Sequence, residues 1–276
     1  MCYPPPILFA EKRLDFIGCP FFYPRESIIF ASIQYTRGVR CLRFYTFTYT
    51  FYMNMILLTL LLLAQGAYFT SYPGDAEFAT GIYKAYRADV AKALGDASER
   101  EVSMAFAVVA PEVSRYDVLL DFAEVYSLKK DYLSGGKCNY SIGYFQMKPS
   151  FVESLEKEME KDKRLYRKYS KKLAYGRGGA VEIRKERLSR LCSIEWQITY
   201  LALFIDVVKQ RTAAWGLKSD EEKVRCWATL YNAGFYLGKE RVKQRQRVKQ
   251  FPRGTTEFNY SDVAVEFFKS FIGRQD

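Results

Sequence analysis

The chain has 276 residues, a length typical of one or two domains, and its 42 Lys and Arg exceed its 31 Asp and Glu, which gives a net charge of +11. Histidine is absent, so Ser-His-Asp and Cys-His catalytic systems and His-ligated zinc or haem are excluded. Acid–base chemistry near neutral pH is then left to Glu, Asp, Lys, Tyr or Cys with a shifted pKa. The six cysteines include no C-x-x-C pair, and we expect no metal and no cofactor.

A short apolar run near the N-terminus predicts export. Residues 55–67 read Met-Ile-Leu-Leu-Thr-Leu-Leu-Leu-Leu-Ala-Gln-Gly-Ala, with small residues at Ala64 and Gly66. About a dozen apolar residues are typical of a signal peptide, which we place at 53–66, because a membrane-spanning helix needs about 20. The alternative is a membrane anchor over about 44–69. Both interpretations place the rest of the chain in the cell envelope, in the periplasm or outside the cell.

Residues 1–52 do not have the sequence of a folded domain. They contain three consecutive prolines at 4–6, scattered aromatic residues and no helical period. We interpret them as a non-native or disordered extension upstream of the genuine start. This interpretation leaves residues 67–276 as one domain.

The remainder of the chain predicts an all-α fold. Apolar residues recur at helical spacing over 76–94, 102–109, 117–128, 180–212, 220–231 and 261–271. Pro111 is expected to interrupt the second of these helices or to begin the next turn. Ser150-x-x-Glu153 and Ser219-x-x-Glu222 both match the capping box at a helix start. No alternating strand of convincing length is present.

Glu112 is the first candidate for chemistry. It follows an apolar run at 102–109, and an apolar environment raises the pKa of a carboxyl group, as a general acid at neutral pH requires. Alternatively, Glu112 caps the helix end or pairs with Arg115.

Two further stretches are candidates for substrate binding. In 141–149, Ser-Ile-Gly-Tyr-Phe-Gln-Met-Lys-Pro, Gly143 permits close backbone approach and Gln146 offers a donor and acceptors to a sugar. In 228–235, Ala-Thr-Leu-Tyr-Asn-Ala-Gly-Phe, a helix stop leaves Tyr231 and Asn232 in its last turn. Without a binding role, the first stretch would be a turn that enters a helix at Ser150, and the second would be an ordinary helix end.

Taken in order, these stretches resemble the lytic transglycosylase and goose-type lysozyme superfamily. That family has a lone catalytic Glu at a helix end, then Gly-x-x-Gln closely followed by Pro, then Ala-Tyr-Asn-Ala-Gly. The matching stretches here are Glu112, 143–149 and 230–234, and Thr-Thr-Glu-Phe-Asn-Tyr-Ser at 255–261 resembles the family's approach to its last helix.

The resemblance implies a lysozyme-like helical domain that cleaves the β-1,4 bond between N-acetylmuramic acid and N-acetylglucosamine in peptidoglycan. Glu112 would be the catalytic acid, and a transglycosylase would use it again as a base to give a 1,6-anhydro product. Tyr231 and Tyr260 would hydrogen-bond Glu112, and Gln146 and Asn232 would hold the sugars. The expected substrate-binding set is Ser114, Gly143, Phe145, Gln146, Met147, Tyr231, Asn232 and Tyr260.

Departures from the family pattern keep a second interpretation open. The family usually has Ser directly after the Glu, whereas Val113 stands there in this chain and Ser114 follows it. A non-catalytic peptidoglycan-binding or cell-wall assembly protein with a degenerate cleft is therefore the alternative. A hydrolase would need a second carboxylate, for which Asp117, Asp121 and Asp131 are nearest in sequence; a transglycosylase would not.

The basic run at 239–249 is a candidate binding surface for an anionic partner. Its six Lys and Arg against one Glu would suit a nucleic-acid surface, a solvated loop or anionic wall polymers. Because the chain is expected to leave the cytoplasm, we expect peptidoglycan glycan strands as the partner and no nucleic acid. We expect a monomer that meets the membrane only through its signal peptide or anchor.

Overall fold

A computed structural model describes residues 67–176, 178–253 and 256–273. The helices in chain order are α1 (Ala67–Ser71), α2 (Pro73–Leu94), α3 (Glu99–Ser114), α4 (Val118–Asp131), α5 (Pro149–Lys161), α6 (Lys163–Leu173), α7 (Ala180–Leu191), α8 (Ile194–Thr212), α9 (Asp220–Ala233), α10 (Lys239–Arg245) and α11 (Tyr260–Ile272). Short 3₁₀ turns lie at Tyr132–Ser134 and Ala213–Trp215. The predictions for 1–52 and 53–66 lie outside the described residues.

The described part of the chain is 75% helical, which confirms the all-α character. A small antiparallel hairpin was not predicted: β1 (Phe251–Arg253) pairs with β2 (Thr256–Phe258), with Phe251 opposite Phe258. Strands of three residues are too short for a pattern of alternation to be recognised in the sequence.

Helix α3 is the centre of the core because every side chain from Val102 to Ser114 is buried. It packs against α2, α9 and α11, while α8 supports α2 and α5 from the other side. Ser98 begins α3 with a reciprocal capping box to Glu101 that was not predicted from the sequence. The candidate active site lies at the opposite end of this buried helix.

Two local predictions need correction, and a third is confirmed in part. Pro111 does not end α3, which continues to Ser114. A proline in the last turn removes one backbone hydrogen bond but has the φ angle of a helix. Ser150 is not a cap, because α5 begins at Pro149 after Lys148. Of the capping box predicted at 219–222, the serine half is confirmed, since the Ser219 side chain accepts from the Glu222 amide, but the Glu222 carboxylate accepts from the Lys218 amide rather than from that of Ser219.

The predicted helix over 180–212 is two helices. Ser193 separates the two helices. It is the N-cap of α8, because its hydroxyl accepts a hydrogen bond from the Trp196 amide. Within the described ranges no single helix is long and apolar enough to cross a membrane. Ala180–Leu191 and Ile194–Trp215 reach that length and apolar character only when they are taken together, and they are bent by 96° relative to each other.

Candidate active site

Glu112 lies in the last turn of α3 and is 7% exposed. Its Oε2 accepts from both Nε and Nη2 of Arg115, at 3.1 and 2.9 Å. The pairing with Arg115 that the sequence left open as an alternative is therefore present. Both hydrogen bonds that the carboxylate accepts from described residues end on Oε2, so Oε1 is the oxygen that a ligand could meet.

The electrostatics of Glu112 are set by two opposed effects. Burial raises the pKa of its carboxyl, whereas the charges of Arg115 and Lys148 and the Arg115 hydrogen bonds lower it; the net direction is upward. Arg115 in turn lies 4.3 Å above the ring centroid of Phe251 on β1. The guanidinium is thus held between the carboxylate and an aromatic face.

Tyr231 and Tyr260 approach Glu112 from two other helices. Both hydroxyls are buried and their pKa values lie well above the ordinary value, because of burial first and the negative charge of Glu112 next. Tyr231 lies in the last turn of α9, and Tyr260 begins α11. Three segments distant in sequence therefore converge on one carboxyl group.

The hydrogen bonds of these tyrosines differ from the prediction. The Tyr231 hydroxyl donates to the Phe145 carbonyl at 2.5 Å, and the Tyr260 hydroxyl donates to the Val108 carbonyl at 3.0 Å. Neither donates to Glu112, because Glu112 faces Arg115 and a buried hydroxyl needs an acceptor within its own reach. In this structure the tyrosines position backbone segments beside the acid.

The stretch that carries Gln146 is a tight turn closed by reciprocal backbone hydrogen bonds of 3.1 Å between Ile142 and Met147. Gly143 and Gln146 both have positive φ, at 73° and 49°. A left-handed conformation is uncommon for a residue with a side chain, and residues held in it cluster at functional sites as well as in turns. The Gln146 amide donates to the Gly143 carbonyl at 2.9 Å and is half-buried.

Other predicted binding residues lie in the core. Phe145 and Met147 are fully buried beside the turn and pack rather than line a cleft. The Ser114 hydroxyl is 2.8 Å from both the Pro111 carbonyl and the Tyr68 hydroxyl, so two protein partners already engage it. The side chains of Phe145, Met147 and Ser114 are therefore packed against protein and are not available to bind a substrate.

Asn232 is exposed and lies beside Tyr260 on a cavity of about 340 Å³. Arg245, Gln250 and Asn259 also line this cavity. Its volume is at the lower end of the range for small-molecule sites, about 300–1,000 Å³. A polar ligand in this cavity would contact Tyr260, whereas Glu112 and Tyr231 do not line it.

Gln197 is a residue of the site that was not singled out from the sequence. It projects from α8, is 1% exposed, accepts from the Phe145 amide and donates to the Ile142 and Leu191 carbonyls. A Cβ on residue 143 would lie 1.7 Å from the Gln197 amide nitrogen, which explains the glycine there. The available signal was a polar side chain between Trp196 and Ile198, within the most apolar part of this helix.

Acidic side chains of α4 face the same turn. Asp121 accepts from the Gly143 amide at 2.6 Å and from the Tyr116 hydroxyl at 3.3 Å. Oε2 of Glu124 is buried and has no hydrogen-bond partner among the described residues. Burial raises the pKa of both carboxyls, and Lys148 lowers those of Glu124 and Glu112.

The other two carboxylates considered for a second acid have structural roles. Asp117 caps α4 by accepting from the Leu119 and Leu120 amides, and Asp131 accepts from the Cys138 amide. In the described part of the chain, no three acidic or cysteine side chains are grouped to hold a metal ion.

Comparisons of the chain with protein families, curated proteins and solved structures find no match. The function of the protein is therefore inferred from the geometry of this site.

We predict that Gln197→Leu destabilises the protein by about 3 kcal/mol, because it leaves the buried Phe145 amide and the Leu191 carbonyl without the partner that Gln197 provides and removes one of the two hydrogen bonds to the Ile142 carbonyl. Chemical denaturation measures the change. Gln210→Leu, on the exposed side of the same helix, is the control and should change stability by less than about 0.5 kcal/mol. Equal effects of the two substitutions would show that Gln197 does not hold the turn.

A second prediction concerns the pH dependence of stability. The pKa of Glu112 is raised in the folded protein, so the folded state binds more protons than the unfolded state above the ordinary carboxyl pKa, and stability falls as pH rises. Glu112→Gln removes this loss. The stability of the variant minus that of the wild type should increase from pH 4 to pH 7 in denaturant titrations; a constant or decreasing difference contradicts the assignment.

Proposed function

We propose that this protein is a peptidoglycan-cleaving glycosidase with a lysozyme-like domain, and that it acts on the β-1,4 bond between N-acetylmuramic acid and N-acetylglucosamine. The observation that carries the proposal is the convergence of the 142–147 turn, Tyr231 and Tyr260 on the buried carboxyl of Glu112. A carboxyl with a raised pKa is what a glycosidase uses as its general acid.

The proposed reaction begins with protonated Glu112. It donates its proton to the glycosidic oxygen, the bond from that oxygen to C1 of the muramic acid breaks, and positive charge develops at C1. Ionised Glu112 then removes the proton of the C6 hydroxyl, whose oxygen bonds to C1 and gives the 1,6-anhydro end. Positioned acid–base catalysis of this kind contributes about 10²–10⁴ in rate.

The contacts of the three aspartates considered as a second acid favour the transglycosylase outcome over hydrolysis; Glu124, whose Oε2 has no hydrogen-bond partner among the described residues, is the carboxylate that could act in a hydrolase instead. A hydrolase needs a second carboxylate that is available to hold water or to stabilise the cation. Asp117 and Asp131 are bound to backbone amides, and both oxygens of Asp121 accept hydrogen bonds from the protein. Intramolecular capture by the C6 hydroxyl requires none of them.

Substrate binding would have to rearrange Arg115. Its guanidinium donates twice to Oε2 and so favours the ionised form of the acid, against the effect of burial. The Arg115 side chain is 33% exposed, so it can move into solvent or toward an anionic group of the substrate without a large change in the core. Without residues 1–70, which hold six Lys and Arg and three Asp and Glu, the net charge is 36 − 28 = +8, and this charge favours association with the acidic stems of peptidoglycan.

The second candidate function is a peptidoglycan-binding or cell-wall assembly protein without activity. The two hydrogen bonds from Arg115 to Glu112 favour it, because they stabilise the ionised form that cannot donate a proton. The engagement of Ser114 by Tyr68 and Pro111 also fits a cleft no longer used for catalysis.

We predict that Glu112→Gln lowers the rate of lysis of purified sacculi at least about 100-fold, because the amide cannot donate a proton to the leaving oxygen. Turbidity loss measures the rate, and mass spectrometry of the released fragments should show anhydro ends. Glu160→Gln, an exposed glutamate of α5, is the matched control and should retain activity. If wild type and Glu112→Gln are equally inactive but both bind sacculi, the second candidate function is correct.

We also predict that Arg115→Gln moves the alkaline limb of the pH–activity profile to higher pH. Arg115 lowers the pKa of Glu112, so its removal keeps the acid protonated to a higher pH. The profile is measured as initial lysis rate from pH 4 to pH 9. Arg241→Gln, at an exposed arginine of α10, should leave the limb in place, and a shift of the Arg115→Gln limb to lower pH would exclude Glu112 as the acid.

A further inference from the structure

Helix α4 exposes large apolar side chains on its outer side, while Val125 and Leu128 on its inner side are buried. Leu119, Leu120, Phe122 and Tyr126 are 78%, 60%, 71% and 64% exposed. Large side chains scattered singly on a surface are ordinary, but a group of them on one helix marks an interaction site.

The charges of α4 are divided between its two faces. At 100° per residue, Leu119, Phe122, Tyr126, Lys129 and Lys130 fall within an arc of about 100°. The four acidic residues Asp117, Asp121, Glu124 and Asp131 lie on the opposite side, where Asp121 and Asp131 bind backbone amides and Glu124 is half-buried. The outward face therefore carries apolar groups and cations only.

We infer that this face, defined by Leu119, Phe122, Tyr126, Lys129 and Lys130, is a docking surface for an anionic lipid bilayer. Leucine and aromatic side chains enter the boundary between headgroups and acyl chains, and lysines beside them pair with lipid phosphates. A second copy of the chain would instead bring four lysines into one interface, with the acids of α4 facing away from them.

The inference rests on the exposure and the charge pattern of α4 and does not depend on peptidoglycan cleavage.

The test uses the full chain with tryptophan placed on this surface. Phe122→Trp is mixed with vesicles of phosphatidylcholine and phosphatidylglycerol whose acyl chains are brominated. We expect its emission to shift to the blue and to be quenched about two-fold or more relative to unbrominated vesicles, after subtraction of the wild-type signal. Tyr236→Trp, at a 52% exposed position outside α4, is the control and should be quenched no more than wild type.

Three outcomes would overturn the inference. The first is equal quenching of Phe122→Trp and Tyr236→Trp, and the second is no association of the chain with the vesicles. The third is protection of Phe122→Trp from aqueous acrylamide before lipid is added, which would show that protein already covers the surface. Light scattering would then show what covers the surface. A dimer would indicate a second copy of the chain, and a monomer would indicate another part of the same chain.

Discussion

The site depends on the contact between Arg115 and Glu112, because the charge of Arg115 opposes the effect of burial on the pKa of the Glu112 carboxyl. An apolar helix places a carboxyl group out of water, and without a cation that group would remain neutral. Arg115 restores part of the stability of the ionised form, yet its own side chain is only partly buried and rests on the Phe251 ring. Burial and Arg115 therefore act in opposite directions on the pKa of this carboxyl, and a ligand that moved Arg115 away would favour the protonated form.

The rest of the site is rigid because backbone groups, rather than flexible side chains, are bound in place around the acid. Gln197 holds the 142–147 turn from behind, and Tyr231 holds it through the Phe145 carbonyl. Tyr260 fixes the last turns of α3 through the Val108 carbonyl. These buried polar contacts join α3, α8, α9 and α11 at one place, so displacement of any one helix would change the surroundings of Glu112.

Helix α4 connects the site to the outer surface of the molecule. Its inward face contributes Asp121 to the backbone of the 142–147 turn, while its outward face exposes Leu119 and Phe122. A helix packed mainly through Val125 and Leu128 is held by few apolar contacts, and such an element opens more readily than the core. Binding of its outer face would therefore influence the turn that it supports.

The sequence by itself determined the all-α fold and the burial of Glu112, since both follow from helical spacing and from an apolar run at 102–109. It also suggested the Arg115 contact, because residues three apart on a helix are neighbours. It did not determine the hydrogen bonds of Tyr231 and Tyr260, the part played by Gln197, the break at Ser193 or the hairpin. Those depend on which backbone groups of distant segments meet once the helices pack, and only the tertiary structure decides that.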